Sequence, residues 1–426
     1  MKPSDTRSQV SIMSYSSPGS LLRSLSTNLR CLLGLVGTEE DRKQTQVHNS
    51  AFTNPAENAR ILNANVTEWL KGTVVIPNDP VDTRRPDTYS VHARYLRSLL
   101  APNYTVFSNV LSQEQWITDH GHESSSHYVV SLESPHNAIH LAVGGFYEEG
   151  NYNASPIRGA NGDMGDNETA GFDPIFFFHH AYVDYAFEKW QELHNLTERG
   201  SLTIIPNYPG TILKAGQPPN FPPGTHIDLS TPLLPFRHPD GRDYTSVDAT
   251  DLTELGIAYG PGSLDGIVGT GPTRAGKSPF EVINPHIHDD TKLAGSNPDG
   301  PNPFHLTKRV HNISRTQYDG SFVIRLVARG HDGKDVVVGR KPVLSRWNVK
   351  GCRNCQSHLE VDLHVPFDKP TLDLLQSRAA PEGQKADINW VVKIHARDKL
   401  HEFPIPGPGK HRSGEEEYDG PKLNDL

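Results

Sequence analysis

Two histidines at the start of a predicted helix have the type and spacing of metal ligands. Ser134 followed by Pro135 is typical of a helix start, with an N-cap residue and proline in the first turn. His136 and His140 then lie one turn apart on the same face. A His-x-x-x-His spacing also arises by chance in surface helices, so the pair alone does not define a site.

A second predicted helix supplies a third imidazole. It begins at Asp173-Pro174, another N-cap and proline start, and carries His180 one turn before Asp184. We expect the Asp184 carboxylate to accept the second ring N–H of His180 and so to fix its tautomer. A histidine pair on one helix with a third histidine from a facing helix is a usual way to build a three-nitrogen metal site.

The same residues resemble a known family. The run Leu132-Glu-x-x-His-Asn-x-Ile-His, followed by Asp173-Pro-x-Phe-Phe-x-His-His-x-x-Val-Asp, is similar to the second metal half-site of tyrosinases, catechol oxidases and hemocyanins. The resemblance implies that His136, His140 and His180 are the ligands and that His179 is a neighbour that packs or hydrogen-bonds. The resemblance is specific between residues 116 and 191 and weaker from there to the end of the chain.

The resemblance also assigns roles beside the metal. It implies that Glu133, with Asn137, orients a metal-bound water or accepts a proton from substrate. We expect an apolar wall, Phe176 to Phe178, to desolvate that carboxylate and favour its use as a general base or acid. The alternative is that Glu133 only caps the helix, where its charge interacts favourably with the helix dipole.

The first half-site of that family is not recognisable. Nothing between Met1 and Glu133 resembles its aromatic-His-Arg run, and His48 and His92 have no histidine at i, i+4. Tyr185 also stands where family members often have arginine after Val-Asp.

With one three-histidine set, we expect zinc to act as a Lewis acid, with copper as the alternative metal. The predicted function is a mononuclear zinc lyase, most similar to the fungal cyclopenases of quinolone alkaloid biosynthesis. Those enzymes convert cyclopenin-type benzodiazepinedione epoxides to viridicatin-type quinolones with loss of methyl isocyanate. The alternative is a copper-dependent oxidase of the tyrosinase or catechol oxidase type whose first copper site is unrecognised or missing. A metal-binding chain without activity is the third class.

Hydrophobic periodicity predicts an α+β protein. Helical patterns follow Asn54, span Ser90 to Leu100 and surround Gln113 to Thr118, and alternating β-branched patterns begin near His305. We expect a mainly helical, tyrosinase/hemocyanin-like metal domain followed by an antiparallel β-sandwich. The predicted boundaries are a disordered leader (1–40), the metal domain (41–260), a linker (261–304), the sandwich (305–406) and a disordered tail (407–426).

Composition limits the partners. A net charge of −9 argues against nucleic acid as a general partner, and the apolar run 31–36 is too short for a signal core or a membrane span. We therefore expect an intracellular, cytoplasmic protein that acts on a small molecule. The serine-rich leader could instead be an organellar presequence.

The chain has three cysteines, Cys31, Cys352 and Cys355, so a disulfide scaffold is excluded. Cys352-x-x-Cys355 is at most half of a zinc site. A reduced turn between strands, a reversible disulfide and a role in metal delivery all remain open.

Overall fold

The structure is a computed structural model. It describes residues 69–70, 90–120, 129–144, 163–213, 221–260, 262–264, 304–346, 349–350, 358–396, 399–405 and 420–425. The predictions for the leader 1–40, most of the helix after Asn54, His48 and the Cys352/Cys355 pair lie outside the described residues.

The described helices fall mainly before residue 200. They are α1 (Val91–Ser98), α2 (Tyr104–Ser108), α3 (Val110–His120), α4 (Glu133–Gly144), α5 (Ile175–His194), α6 (Ser246–Ala249) and α7 (Lys369–Arg378).

Local sequence sets the ends of the two helices that carry the histidines. Asp173 caps α5, because its Oδ1 accepts a hydrogen bond from the Ile175 N–H at 3.0 Å. At the other end Asn195 adopts a left-handed conformation (φ 56°), which ends the helix. Helix α4 begins at Glu133, earlier than predicted, and the Ser134 hydroxyl does not cap it but accepts a hydrogen bond from Arg94.

Helices α1 to α5 share one apolar core. Trp190 of α5 is fully buried, stacks on Phe107 with ring centroids 4.6 Å apart, and donates from Nε1 to the Ala101 carbonyl at 3.0 Å. Trp69, Leu96, Leu99 and Leu141 belong to the same core. This packing holds α5 at a fixed position beside the other helices.

The strands after residue 300 form two antiparallel sheets. The first sheet has the order β10 (Leu400–Pro404), β9 (Asn389–His395), β6 (Phe322–Arg329), β7 (Asp335–Val343), and the second has the order β11 (Lys422–Asp425), β5 (Phe304–His311), β8 (Leu363–Asp368). Four further strands, β1 (Ile212–Leu213) with β2 (Thr225–His226) and β3 (Pro232–Arg237) with β4 (Asp243–Thr245), form two antiparallel pairs.

The two larger sheets enclose a second apolar core. Ile324 and Ile394 of the first sheet cluster with Val310 and Val365 of the second. The predicted sandwich and the α+β class are therefore confirmed. Strand β6 is buried along nearly its whole length, because Val323 packs into the helical core while Ile324 faces the sandwich core.

The last strand corrects one prediction. Residues 407–426 are predicted to be disordered, yet Lys422–Asp425 pairs with β5. The Lys308 ammonium forms an ion pair with Asp425, and Leu423 packs against the sandwich core. Pairing with the open edge of β5 explains why residues 422–425 form a strand although they are mostly polar.

The start of the predicted linker is also ordered. Leu264 is buried, and its N–H donates to the Tyr185 hydroxyl at 3.1 Å. Within the described part of the chain, no helix combines the length and the apolar character needed to cross a bilayer.

Candidate metal centre

Four imidazole rings meet between α4 and α5. His136 and His140 come from α4, and His179 and His180 from α5. The ring centroid of His136 lies 4.6 Å from that of His140 and 5.1 Å from those of His179 and His180. We call this group the histidine cluster. The predicted convergence of the two helices on one site is therefore seen in the structure.

Hydrogen bonds fix which ring nitrogen of each histidine faces the cluster. The Nδ1 of His136 contacts the Asn137 side-chain oxygen at 2.8 Å, and the Nδ1 of His140 contacts the Met164 carbonyl at 2.7 Å. The Nδ1 of His180 contacts the Phe176 carbonyl at 2.8 Å. Because each of these oxygens can only accept, each Nδ1 carries the proton and each Nε2 presents a lone pair.

Two of these lone pairs face each other. The Nε2 atoms of His136 and His180 are 3.1 Å apart. With Nδ1 protonated on both rings, neither Nε2 has a proton to donate, so the contact is repulsive between neutral rings. A cation bound by both nitrogens would remove this repulsion, so the donor set fits a metal ion.

Burial keeps the rings in the form that binds metal. It lowers the pKa of His136, lowers the pKa of His140 to about 3, and holds the pKa of His179 well below its usual value. These imidazoles are therefore neutral near pH 7. Neutral imidazole is the ligand form for both zinc and copper.

His179 is itself a member of the cluster, whereas the resemblance implied a neighbour that packs or hydrogen-bonds. One ring nitrogen from each of His136, His140 and His179 lies within 4.8 Å of the other two, and the Nε2 of His179 is buried without a hydrogen-bond partner. Among the described residues, the three ring nitrogens that meet this spacing are therefore those of His136, His140 and His179, whereas the resemblance implied His180 as the third ligand. Sequence reasoning missed His179, because adjacent helical residues point about 100° apart and a single ligand was assigned to the pair.

The Glu133 carboxylate is held between α3 and α4. Its Oε2 accepts the Val110 N–H at the start of α3 at 2.9 Å, so it caps a neighbouring helix. Its Oε1 lies 3.5 Å from the Asn137 side-chain nitrogen. Asn137 therefore connects the Glu133 carboxylate to the ring of His136.

The prediction that the Asp184 carboxylate orients His180 is wrong, because the Oδ2 of Asp184 accepts a hydrogen bond from the Tyr259 hydroxyl. The His180 ring is instead oriented by the contact of its Nδ1 with the Phe176 carbonyl, one turn earlier in the same helix.

The predicted wall of three phenylalanines is likewise reduced to one. Only Phe176 packs on the cluster, with its ring centroid 3.9 Å from that of His180. Phe177 and Phe178 are each 64 % exposed. Three consecutive residues of a helix cannot share one face, which accounts for the difference.

The histidine at the end of α3 does not join the cluster. His120 lies at the end of α3, stacks on Trp116 with centroids 3.9 Å apart, and contacts the Trp116 carbonyl through Nδ1 at 3.0 Å.

Comparison with known proteins shows a similarity to tyrosinases. Residues 19–193 match the sequence model of the family described as the common central domain of tyrosinase. The chain is 41 % identical over 353 residues to tyrosinase HcTyr2 of a Hahella species, a match that covers 81 % of this chain and 58 % of the relative. It is 36 % identical over 379 residues to a tyrosinase of Aspergillus oryzae, covering 85 % of this chain and 64 % of the relative.

A solved structure agrees with these matches. The tyrosinase of Burkholderia thailandensis at low pH is 40 % identical, superposes with a TM-score of 0.58, and is matched over 85 % of this chain and 62 % of its own length. The chain thus spans about three fifths of the length of such relatives. The histidine-bearing helices α4 and α5 lie inside the matched range up to residue 193, apart from the last residue of α5. Residues 19–193 of this chain therefore match the common central domain of tyrosinase.

Proposed function

We propose that the histidine cluster binds copper and that the chain carries out a tyrosinase-type oxidation of small phenols or catechols. The observation that carries this proposal is the pair of opposed Nε2 lone pairs of His136 and His180 in a chain 41 % identical to a tyrosinase. The relatives favour copper and oxidation over the zinc lyase chemistry expected from the sequence.

Three contacts prepare the rings for the metal. Asn137, the Met164 carbonyl and the Phe176 carbonyl each hold one Nδ1–H, which fixes both the tautomer and the plane of the ring. Outer partners of this kind raise the basicity of the ligand and orient it. When bound in pairs, copper ions of this family supply dioxygen binding and a two-electron oxidation.

Two further residues act beside the rings. Phe176 covers one face of His180 and excludes water from that side. We assign proton transfer from the substrate hydroxyl to the Oε1 of Glu133, because Oε2 is occupied by the Val110 N–H while Oε1 has one long contact with Asn137.

A zinc lyase of the cyclopenase type is the second candidate. The observation that favours it is that the described residues contain a single group of histidines able to hold a metal. A copper pair needs a second set of ligands, and most of residues 1–89 lies outside the described part of the chain.

Metal loading combined with turnover separates the two candidates. The purified chain is loaded with Cu(II) or Zn(II), freed of excess metal, and assayed for metal per chain and for quinone formation from a catechol under air. The proposal expects copper retention and quinone formation that the zinc-loaded protein lacks. One zinc per chain, no quinone with copper, and rearrangement of a cyclopenin-type epoxide would replace it by the lyase.

A matched variant ties activity to the cluster. His136→Ala removes a ring of the three-histidine group, whereas His120→Ala removes a ring held against Trp116. Quinone formation should be lost in the first and kept in the second. Equal activity in both variants would place the oxidation elsewhere.

A further inference from the structure

Arg94 is a buried side chain that joins the first turn of α4 to the β-sandwich. It is 5 % exposed and comes from α1. Its Nη1 donates to the Ser134 hydroxyl at 3.0 Å, and its Nη2 donates to the Arg340 carbonyl of β7. One guanidinium therefore bonds the second residue of the histidine-bearing helix and a strand more than 200 residues away in sequence.

The guanidinium is suited to this task. Its N–H groups lie in one plane and form a rigid fork, so two acceptors bonded by it are fixed relative to each other. Ser134 precedes His136 by two residues, in the same helical turn. A shift of that turn would move the His136 ring directly.

The next residue of β7 supports a second helix. Lys341 forms an ion pair with Glu114, a buried carboxylate of α3, and donates to the Asp362 carbonyl at 2.6 Å. Helix α3 is in turn linked to α4, because the Val110 N–H bonds to Glu133. Strand β7 thus braces both helices that meet at Glu133.

We propose that Arg94 is a positioning residue of the metal site, which holds the first turn of α4, and with it His136, against strand β7. This inference rests on the proposed binding of copper by the histidine cluster. It gives the β-sandwich a direct part in building the site, through the backbone of β7.

The first test removes the link without removing the charge. Ser134→Ala deletes the acceptor on α4 and leaves the bond from Arg94 to the Arg340 carbonyl. The Kd for Cu(II) is measured on the full chain by competition with a chelator. Because loss of an outer partner typically weakens metal binding about 10- to 100-fold, we expect about a 10-fold rise in Kd.

Two substitutions of Arg94 should change the Kd for Cu(II) to different extents. Arg94→Met should raise the Kd at least as much as Ser134→Ala, and Arg94→Lys should recover part of the loss, because an ammonium reaches one acceptor but not both in a fixed plane. The electron paramagnetic resonance spectrum of bound Cu(II) should shift in Arg94→Met, since the His136 ring changes its orientation. A residue with only a structural role would leave that spectrum unchanged.

Arg329→Met is the matched control. Arg329 is a partly buried arginine, paired with Asp335 and Glu402 on the first sheet. Its loss should lower the melting temperature of the chain without changing the Kd for Cu(II). Thermal unfolding of each metal-free variant shows whether it is folded.

The outcomes are distinct. If Ser134→Ala and Arg94→Met bind Cu(II) with the parent Kd and spectrum while only their melting temperatures fall, Arg94 is a structural residue and the inference is wrong. If Arg94→Met does not fold, Ser134→Ala and Arg94→Lys decide by the same Kd. If the parent chain itself binds no Cu(II), the proposed function fails, which is a different result.

Discussion

At the scale of residues, His179 and His180 are the two candidates for the third metal ligand. His179 and His180 both reach the rings of α4, but the Nε2 of His180 directly opposes the Nε2 of His136 at 3.1 Å. The tautomer of His180 is fixed by the Phe176 carbonyl. His180 therefore remains our predicted third ligand, and His179, whose ring nitrogen lies within 4.8 Å of those of His136 and His140, is the alternative.

Single replacements separate the two rings. His180→Ala should lose most bound copper, whereas His179→Ala should weaken copper binding by about 10-fold at most, as for an outer partner. Copper per chain after dialysis is the measurement. The reverse order of the two variants would identify His179 as the ligand.

We assign Glu133 two roles, as a cap of α3 and as a proton acceptor, and one substitution can separate them. Glu133→Gln keeps an oxygen for the Val110 N–H but removes the charge. We expect copper content to stay the same, the free energy of unfolding to fall by about 1 kcal/mol, and turnover to fall by about 10²–10⁴-fold. Glu198→Gln, at an exposed position, is the control for the loss of one carboxylate. Parent turnover in Glu133→Gln would leave Glu133 as a helix cap only.

At the scale of elements, the segment after α6 that contains Tyr259, Ser263 and Leu264 is hydrogen-bonded to helix α5, and we call it the clasp. The Tyr259 hydroxyl bonds to Asp184, the Tyr182 hydroxyl contacts the Ser263 hydroxyl at 3.0 Å, and the Leu264 N–H donates to Tyr185. Tyr185 stands where arginine is frequent in the family, and here its hydroxyl accepts a bond from this segment. The clasp thus holds α5 along the turns that follow His180.

Breaking one clasp contact should loosen the helix. Tyr259→Phe removes the partner of a carboxylate, and we expect the free energy of unfolding to fall by about 1–3 kcal/mol. Tyr208→Phe is the control, because its hydroxyl reaches the exposed Asp119 at 3.4 Å. Chemical denaturation of both variants measures the difference. Equal stability of Tyr259→Phe and the parent would show that the segment does not brace α5.

The sequence predicted the elements better than the contacts between them. The pairs Ser134-Pro135 and Asp173-Pro174 located both histidine-bearing helices, because helix starts depend on local chemistry. The partners of Glu133 and Asp184 were not predictable, since Val110 and Tyr259 lie 23 and 75 residues away and reach them only in the folded chain. Strand β11 was missed because its apolar content is a single leucine, Leu423, and pairing with β5 orders it.

At the scale of the whole molecule, a buried histidine of the β-sandwich makes the stability of the fold depend on pH. Burial lowers the pKa of His364 in the sandwich to about 3, with the charges of Lys341 and Arg309 acting in the same direction. The unfolded chain takes up this proton near pH 6.5, before the folded chain does. Its contribution to stability is therefore complete above pH 6.5 and is lost as the pH falls toward 3.

Removing this group should flatten the acid side of the stability profile. His364→Gln cannot take up the proton, so the metal-free variant should lose less stability than the parent between pH 6.5 and pH 3. Thermal unfolding across that range is the measurement. Parallel profiles for the two proteins would contradict the assignment.

The central claim is that the histidine cluster between α4 and α5 binds copper. Copper per chain, measured after loading and dialysis for the parent and for His136→Ala, tests it most directly. The account predicts stable copper in the parent and a loss of the copper held by the cluster in the variant, with the β-sandwich still folded. Equal copper in the two proteins, or none in the parent, would contradict it.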